Sequence, residues 1–354
     1  MSKIKIAIAG LGNCASSLLQ GIQYYKNKNE KDSIGLIHWD IGGYRPFDID
    51  LVAAFDIDKR KVGKDISDAI FELPNCTKIF CENIPDIGIQ VMKGPVLDGV
   101  APHMKDYFQV DDNQKPVDVT NIIKESNAEI LINYLPVGSQ KATEYYAQCA
   151  IDARCGFINC IPVFIASNEN WTNKFEDANL PIIGDDVKSQ VGATIVNRAL
   201  VQMIEDRGGR IDNTLQLNVG GNTDFRNMLS ESRLESKRIS KTESISSLIS
   251  NNAYVYAGPN GCVDCLLDNK LSFMRIDFRI FGDIPCSIDL KLSVEDSPNS
   301  SGIMIDAIRT MMIAKNKHIG GVLIPASAYY MKYPLIPMKD EDARKQLEDF
   351  IKQN

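Results

Sequence analysis

The segment that decides the fold of this chain is Ile4-Lys5-Ile6-Ala7-Ile8-Ala9-Gly10-Leu11-Gly12-Asn13-Cys14-Ala15. A short β-branched run ends at a glycine turn of the form G-x-G-x-x-A, and apolar residues at helical spacing continue to Tyr25. Glycines let a backbone approach a pyrophosphate, and a helix N-terminus presents free N–H groups to it. We therefore predict dinucleotide binding by Gly10, Gly12, Asn13, Cys14 and Ala15. A purely structural turn is the alternative.

A second predicted strand, 51–56, is continuously apolar, which is typical of a strand buried on both faces. Asp56 ends it, where an acid binds the ribose hydroxyls of a dinucleotide. It lies 44 residues after Gly12 instead of about 20, and we attribute the excess to a loop inserted at 26–50. An acid here favours NAD over NADP because it would repel a 2′-phosphate. A helix-capping role for Asp56 stays open.

Strands and helices alternate in the first half of the chain. Further strands are predicted at 130–134, 156–160 and 181–185, with a helix at 140–150. This order predicts an α/β fold with a Rossmann-type, doubly wound parallel sheet.

After residue 210 the pattern changes to consecutive strands, which predicts a second, mainly antiparallel sheet. Polar residues 296–301 then introduce a helix at 303–314. We expect residues 1–195 and 297–354 to form the dinucleotide-binding domain, and 196–296 to form an inserted α+β domain. The strands predicted in that inserted domain are 214–219, 254–256, 273–281 and 287–294.

Composition limits the possible functions. The chain has 354 residues and a net charge of −7, which argues against a general nucleic-acid binder. Its longest uncharged apolar stretches, such as 319–331, are shorter than the roughly 20 residues of a membrane span. The N-terminus does not resemble a signal peptide, and the nine cysteines do not resemble a disulfide framework. We expect a cytoplasmic protein.

Two more loops follow predicted strands, at the sheet edge where open α/β folds bind ligands. The first contributes Asn133, Tyr134 and Pro136, and the second contributes Asp185 and Ser189. The adjacent acids of Gly184-Asp185-Asp186 could hold ribose, orient a lysine or meet a cation. Ordinary loop and capping roles are the alternatives.

A predicted helix at 230–250 carries Arg233, Lys237 and Lys241 at positions i, i+4 and i+8. This spacing places three cations on one face, and like charges depress the pKa of a lysine. From spacing alone, the face is either solvated or a site for a phosphate or carbonyl group. The three histidines lack metal-ligand spacing, and the single C-x-x-C at 262–265 is better explained as a loop than as a zinc site.

The whole chain resembles the myo-inositol-1-phosphate synthase family in its shorter prokaryotic form. The resemblance covers nearly all 354 residues. It is carried by seven segments in order: 10–18, 133–139, 184–194, Leu217-Asn218-Val219-Gly220-Gly221-Asn222-Thr223-Asp224-Phe225, Ser236-Lys237-Arg238-Ile239-Ser240-Lys241-Thr242, Asp296-Ser297-Pro298-Asn299-Ser300, and 324–332.

The resemblance implies a Rossmann domain and a catalytic and tetramerisation domain, assembled as a homotetramer with tightly held NAD. It implies an isomerase that converts D-glucose 6-phosphate to 1D-myo-inositol 3-phosphate, for inositol and phospholipid biosynthesis. In such enzymes C5 of the open-chain sugar is oxidised, C6 loses a proton, the enolate attacks the C1 aldehyde, and C5 is reduced again.

The resemblance also implies residue roles. Lys237, Lys241 and Lys332 match the active-site lysines, and Asp224 and Asp296 are expected to relay protons or orient lysines. Asp185 is expected beside the nicotinamide. Asn218 and Gly220 complete the predicted cofactor set.

One departure concerns a further active-site lysine of eukaryotic members, where this chain reads Gly282-Asp283-Ile284-Pro285. Lys291, Lys188 or a cation could supply the missing charge, and the identity of any metal stays open.

Two other functions are compatible with the predicted fold. An ordinary NAD-dependent dehydrogenase would accumulate NADH in proportion to product, whereas a cyclase needs only catalytic NAD. A nucleotide-sensing regulator would have no use for three converging amines.

Overall fold

The computed structural model describes residues 3–353. Two sheets organise this part of the chain. The strands are β1 (Ile4–Ala9), β2 (Ile49–Asp56), β3 (Met92–Lys93), β4 (Ile130–Asn133), β5 (Gly156–Asn159), β6 (Pro181–Ile183), β7 (Arg210–Gly220), β8 (Tyr254–Cys262), β9 (Asn269–Ile280), β10 (Ile284–Glu295) and β11 (Gly321–Val322).

Helices cover the sheets and connect their strands. They are α1 (Asn13–Tyr25), α2 (Ile66–Ala69), α3 (Val119–Glu125), α4 (Gln140–Asp152), α5 (Glu169–Asp177), α6 (Ala193–Asp206), α7 (Thr223–Asn227), α8 (Glu231–Ser246), α9 (Asp296–Asn316), α10 (Ile324–Tyr330) and α11 (Asp340–Lys352). None of these helices, within residues 3–353, combines the length and apolar character needed to cross a membrane.

The first sheet has seven strands in the order β11-β6-β5-β4-β1-β2-β3, and every pairing is parallel. Alternate residues of β1 enter different cores: Ile4, Ile6 and Ile8 pack on one face, and Ala7 and Ala9 on the other. The face of the isoleucines packs against α1 and α9, and the opposite face against α3 and α4. The predicted doubly wound Rossmann-type sheet is confirmed.

The second sheet has four strands in the order β10-β9-β7-β8. The β10–β9 and β7–β9 pairs are antiparallel, and the β7–β8 pair is parallel. The sheet is therefore mainly antiparallel, as predicted, with one parallel edge. Helices α6 and α8 pack on it through a small core that includes Val201, Ile245 and Ile276.

The start of α9 differs from the sequence prediction. The polar residues expected to precede a helix at 303–314 instead form its first turns, because α9 begins at Asp296 directly after β10. Pro298 is tolerated there, since the first turn of a helix has no internal partners for its N–H groups. The longer helix runs from the edge of the second sheet into the core of the first.

Candidate active site

One cavity lies at the carboxyl ends of the central strands of the first sheet and extends to the second sheet. Its wall includes the glycine turn, the ends of β2 and β4, the segment after β6, the inner face of α8 and the start of α9. Predicted residues that line it are Gly10, Gly12, Asn13, Cys14, Asp56, Tyr134, Pro136, Ser189, Asn218, Asp224, Lys237, Lys241, Asp296 and Lys332.

The glycine turn fits a pyrophosphate. Gly10 has φ +90°, and a Cβ there would lie 2.7 Å from the carbonyl oxygen of Tyr134, so only glycine suits this close approach. A Cβ on Gly12 would meet no atom within 4 Å, so this residue leaves open space on the cavity wall. Gly12 also begins α1 without a side-chain cap, which leaves the first N–H groups of the helix available to an anion.

Asp56 is held at the end of β2 by backbone N–H groups. One oxygen accepts from Leu11 at 2.8 Å, and the other accepts from Ile57 at 2.7 Å and Asp58 at 2.9 Å. These bonds tie the carboxylate to the glycine turn and orient it at the cavity wall. The remaining lone pairs suit ribose hydroxyls.

Asp186 binds two of the lysines that line the cavity. One of its oxygens accepts from Lys237 Nζ at 2.8 Å and from Lys332 Nζ at 3.1 Å, and the other accepts from the Ser240 hydroxyl. Asp186 is fully buried. Burial raises the pKa of this carboxyl, but Lys237 and Lys332 more than reverse that effect and hold it below its usual range.

The lysines around Asp186 differ in how easily they lose a proton. Burial lowers the pKa of Lys237, but the Asp186 and Asp224 carboxylates outweigh it and raise the pKa above its ordinary value. Burial, opposed in part by Asp186 and assisted by Lys237, lowers the pKa of Lys332 to about 8. Lys332 is therefore the better proton acceptor of the pair.

Backbone pairing places Lys332 at the site. Its N–H donates to the Asp186 carbonyl oxygen at 2.7 Å, and the N–H of Tyr333 donates to the Asp185 carbonyl oxygen at 3.0 Å. The segment after α10 thus lies alongside the segment after β6. This pairing brings two parts of the chain separated by 146 residues to one carboxylate.

Lys270 is a cavity residue that the sequence analysis missed. It lies on β9, lines the same cavity and pairs with Asp296 at the start of α9. Burial lowers the pKa of neighbouring Lys241, and repulsion from Lys270 and Lys237 lowers it further. Lys270 precedes the strand predicted at 273–281, so no sequence pattern distinguished it from a surface lysine.

The two lysines considered as replacements for the further active-site lysine of eukaryotic members do not line the cavity. Lys188 is buried and donates to Asp340 at 2.7 Å. Lys291 is on β10, 5.7 Å from the centre of the Phe273 ring. Neither lines the cavity, whereas Lys270 does.

Four predicted cofactor residues do not line the cavity. Ala15 is buried inside α1, and Asn133 donates to Thr143 and Asn159 within the sheet edge. A Cβ on Gly220 would lie 2.4 Å from the Phe225 ring, so this glycine permits close packing between the end of β7 and α7. These three residues therefore stabilise the elements around the cavity and do not face a ligand.

Asp185 is the fourth of these residues. Its carboxylate accepts from the backbone N–H groups of Ile165, Ala166 and Ser167 at 3.0–3.1 Å and from Asn159 at 2.6 Å. Burial raises its pKa to about 6 despite these bonds. Asp185 therefore stabilises the loop after β5, and the adjacent Asp186 is the acid that orients lysines.

Arg233, the first of the three cations on α8, anchors loops instead of facing the cavity. It is buried and donates to the backbone carbonyl oxygens of Asp98 and Val137. The remaining two cations of the i, i+4, i+8 pattern, Lys237 and Lys241, line the cavity. Residues 3–353 contain no group of three or more His, Cys, Asp or Glu side chains arranged to hold a metal ion, and all nine cysteines are unpaired.

Comparison with known proteins identifies the family. A sequence profile described as Myo-inositol-1-phosphate synthase matches residues 192–297. An inositol-3-phosphate synthase of Mycolicibacterium smegmatis is 49% identical over 357 residues, covering 99% of this chain and 98% of that protein. The chain belongs to the myo-inositol-1-phosphate synthase family.

A second relative agrees with this assignment, and a solved structure shares the fold. An inositol-3-phosphate synthase of Corynebacterium glutamicum is 47% identical over 359 residues, covering 99% of this chain and 98% of that protein. The crystal structure of a myo-inositol-1-phosphate synthase-related protein from Thermotoga maritima shares the fold, with a TM-score of 0.78, 22% identity and coverage of 99% of this chain and 98% of that one. The predicted family is confirmed, and the chain is an enzyme of the isomerase class.

Proposed function

We propose that this chain is an inositol-3-phosphate synthase that cyclises D-glucose 6-phosphate to 1D-myo-inositol 3-phosphate, with NAD as a catalytic cofactor. The observation that supports it most directly is the convergence of Lys237, Lys241, Lys270 and Lys332 on a cavity that also contains the glycine turn. An ordinary dehydrogenase needs one acid–base group, whereas an enolate and an aldol closure need several positive charges.

NAD fits the open space at Gly12, the uncapped start of α1 and the oriented Asp56 carboxylate. When bound, it would supply reversible hydride transfer at C5 of the sugar. Asp56 would hold the adenosine ribose, and the N–H groups of α1 would hold the pyrophosphate.

The substrate phosphate is assigned to the start of α6. Ser189, Gly192, Ala193 and Thr194 line the cavity, and α6 begins after Gly192 without a side-chain cap. Free N–H groups and the helix dipole favour an anion there. Lys241 lines the same cavity and would add a charge-assisted bond.

The remaining lysines suit the proton and charge transfers at the sugar. Lys332, with a pKa lowered to about 8, is the group assigned to accept the C6 proton. Lys237 stays charged beside Asp186 and would stabilise the enolate oxygen. Asp296 pairs with Lys270 and keeps that ammonium at the cavity wall.

A homotetramer is proposed on the basis of uncovered apolar surface. Strand β10 is an edge strand whose alternate residues from Cys286 to Val294 are apolar and only half-buried. At its hairpin, Phe281 is 97% exposed and Ile284 57% exposed. Exposed apolar side chains beside an open strand edge favour association with other copies of the chain.

The function is tested by incubating the protein with glucose 6-phosphate and substoichiometric NAD⁺. We expect inositol phosphate, detected by NMR, to exceed the added NAD⁺ many times over without accumulation of NADH. NADH accumulating in proportion to a sugar-acid or keto-sugar product would instead indicate a dehydrogenase.

A further inference from the structure

The segment after β2 contains three consecutive cations, Lys59, Arg60 and Lys61, close to the acid Asp56. In Rossmann-type domains this segment lies near the adenosine ribose, where an acid selects NAD and a nearby arginine accommodates the 2′-phosphate of NADP. The segment therefore carries residues suited to either cofactor. The orientations of these side chains decide whether the acid or the cations can reach a ligand.

Lys61 is turned inward beneath the glycine turn. Its Nζ donates to the Leu11 carbonyl oxygen and to Asn75 Oδ1, both at 2.8 Å, and lies 3.9 Å from Asp56 Oδ2. Only 2% of the residue is exposed. Its ammonium group thus supports the turn and the Asp56 carboxylate.

Arg60 is held by Asp58. The guanidinium Nε donates to Asp58 Oδ1 at 2.8 Å, and one terminal nitrogen donates both to Asp58 Oδ2 and to the Tyr107 carbonyl oxygen. Asp58 is itself fully buried and accepts from the backbone N–H groups of Arg60 and Gln109. A bidentate pair built on a buried, oriented carboxylate fixes the guanidinium in one position.

Arg60 itself does not line the cavity, but residues next to it line the part of the wall near Asp56. Ile57 precedes Asp58 in the sequence, Lys61 follows Arg60, and both line the cavity. Phe108 also lines it, and it follows Tyr107, whose carbonyl oxygen accepts from Arg60. Arg60 is also within electrostatic range of Asp56. Released from Asp58, its long side chain would be free to turn toward the ribose position proposed at Asp56.

We propose that Asp58 is a positioning residue for cofactor selection: by pairing with Arg60 it withholds the guanidinium from a 2′-phosphate, so that the site binds NAD in preference to NADP. Asp56 contributes repulsion, and Asp58 removes the compensating attraction. This inference rests on the proposed use of NAD.

The test measures NAD⁺ and NADP⁺ dissociation constants by isothermal titration calorimetry on the full chain. The variants are Asp58→Asn, Arg60→Ala and the double variant, with Lys59→Ala as a neighbouring cation control. We expect Asp58→Asn to strengthen NADP⁺ binding relative to NAD⁺ by about tenfold or more, because a freed arginine gains a charge-assisted bond to phosphate. The double variant should lose that gain, and Lys59→Ala should leave the ratio within about twofold.

An unchanged ratio in Asp58→Asn, or a gain that persists without Arg60, would overturn the proposal. If Asp58→Asn does not fold, Asp58→Ser replaces it, since a hydroxyl can still accept the Arg60 backbone N–H. Failure of the unsubstituted chain to bind either dinucleotide would instead refute the proposed use of NAD, so the two outcomes are distinguishable.

Discussion

The environment of Lys241 suits a site that receives an anion. Burial lowers its pKa, and Lys270 and Lys237 lower it further. An anionic substrate group beside it would relieve this repulsion. Repulsion between like charges that destabilises the unliganded protein is common where function requires those charges to converge.

Replacement of Lys241 with Ala should abolish the reaction without preventing cofactor binding. We expect kcat to fall by about 10²–10⁴, the usual effect of losing a charged group at a reacting centre. The NAD⁺ dissociation constant should change little, because the proposed dinucleotide contacts are the glycine turn and Asp56, not Lys241. The matched control is Arg238→Ala on the same helix, where the arginine pairs with Glu231 near the surface. Turnover that survives in Lys241→Ala would contradict the catalytic assignment.

Lys332 predicts the pH dependence of activity. Because burial lowers its pKa to about 8, the neutral amine that can accept a proton increases as pH rises towards 8. We expect kcat to rise about tenfold per pH unit below that value and to level off above it. Lys332→Arg keeps the charge but cannot lose a proton at these pH values. It should have low activity and lack this rise, and a profile identical to that of the unsubstituted chain would exclude Lys332 as the base.

At the scale of elements, the turn between β1 and α1 separates a structural glycine from a binding glycine. Gly10 has φ +90° and a backbone oxygen 2.7 Å from any added Cβ, whereas a Cβ on Gly12 would face open space. The two positions therefore predict opposite outcomes for the same substitution.

Gly10→Ala should lower the free energy of unfolding by more than the roughly 1–2 kcal/mol expected from a left-handed backbone alone. Gly63→Ala is the matched control, since Gly63 has φ +85° and no atom within 4 Å of its added Cβ. Chemical denaturation measures both. Equal decreases in the free energy of unfolding would show that the backbone moves away from the added methyl group without loss of stability.

Gly12→Ala should leave the free energy of unfolding within about 0.5–1 kcal/mol of the unsubstituted value, the range of an unstrained Gly-to-Ala change. It should weaken NAD⁺ binding by at least about tenfold, because the added methyl group occupies the space that the pyrophosphate would approach. Calorimetric titration checks it. Unchanged NAD⁺ affinity would place the dinucleotide elsewhere.

At the scale of the molecule, the exposed edge of the second sheet predicts self-association. We expect light scattering after size-exclusion chromatography to give the mass of a tetramer. Phe281→Asp places a charge at a side chain that is 97% exposed, so it should reduce the assembled fraction without changing the helical signal in circular dichroism. A monomeric unsubstituted chain would refute the proposed assembly.

The site itself is also a property of the whole molecule. Asp186 follows a strand of the first sheet, Lys237 and Lys241 lie on α8, and Lys270 lies on the second sheet. The pairing of the segments after β6 and α10 adds Lys332. Each cation is stable in its buried position only when all of these elements are packed together.

Local patterns in the sequence were sufficient to predict the parallel sheet, the glycine turn and Asp56, but they left open whether the lysines of α8 face solvent or a ligand. Each depends on residues a few positions apart, and periodicity and turn chemistry act over that distance. The family resemblance assigned Lys237 and Lys241 to the active site and added Lys332, Asp224 and Asp296. Tertiary packing alone decided that Asp186, and not Asp185, meets the lysines, that Arg233 anchors loops, and that Lys270 faces the cavity. In these cases segments distant in sequence meet, and the charge of a buried side chain depends on which partners packing places beside it.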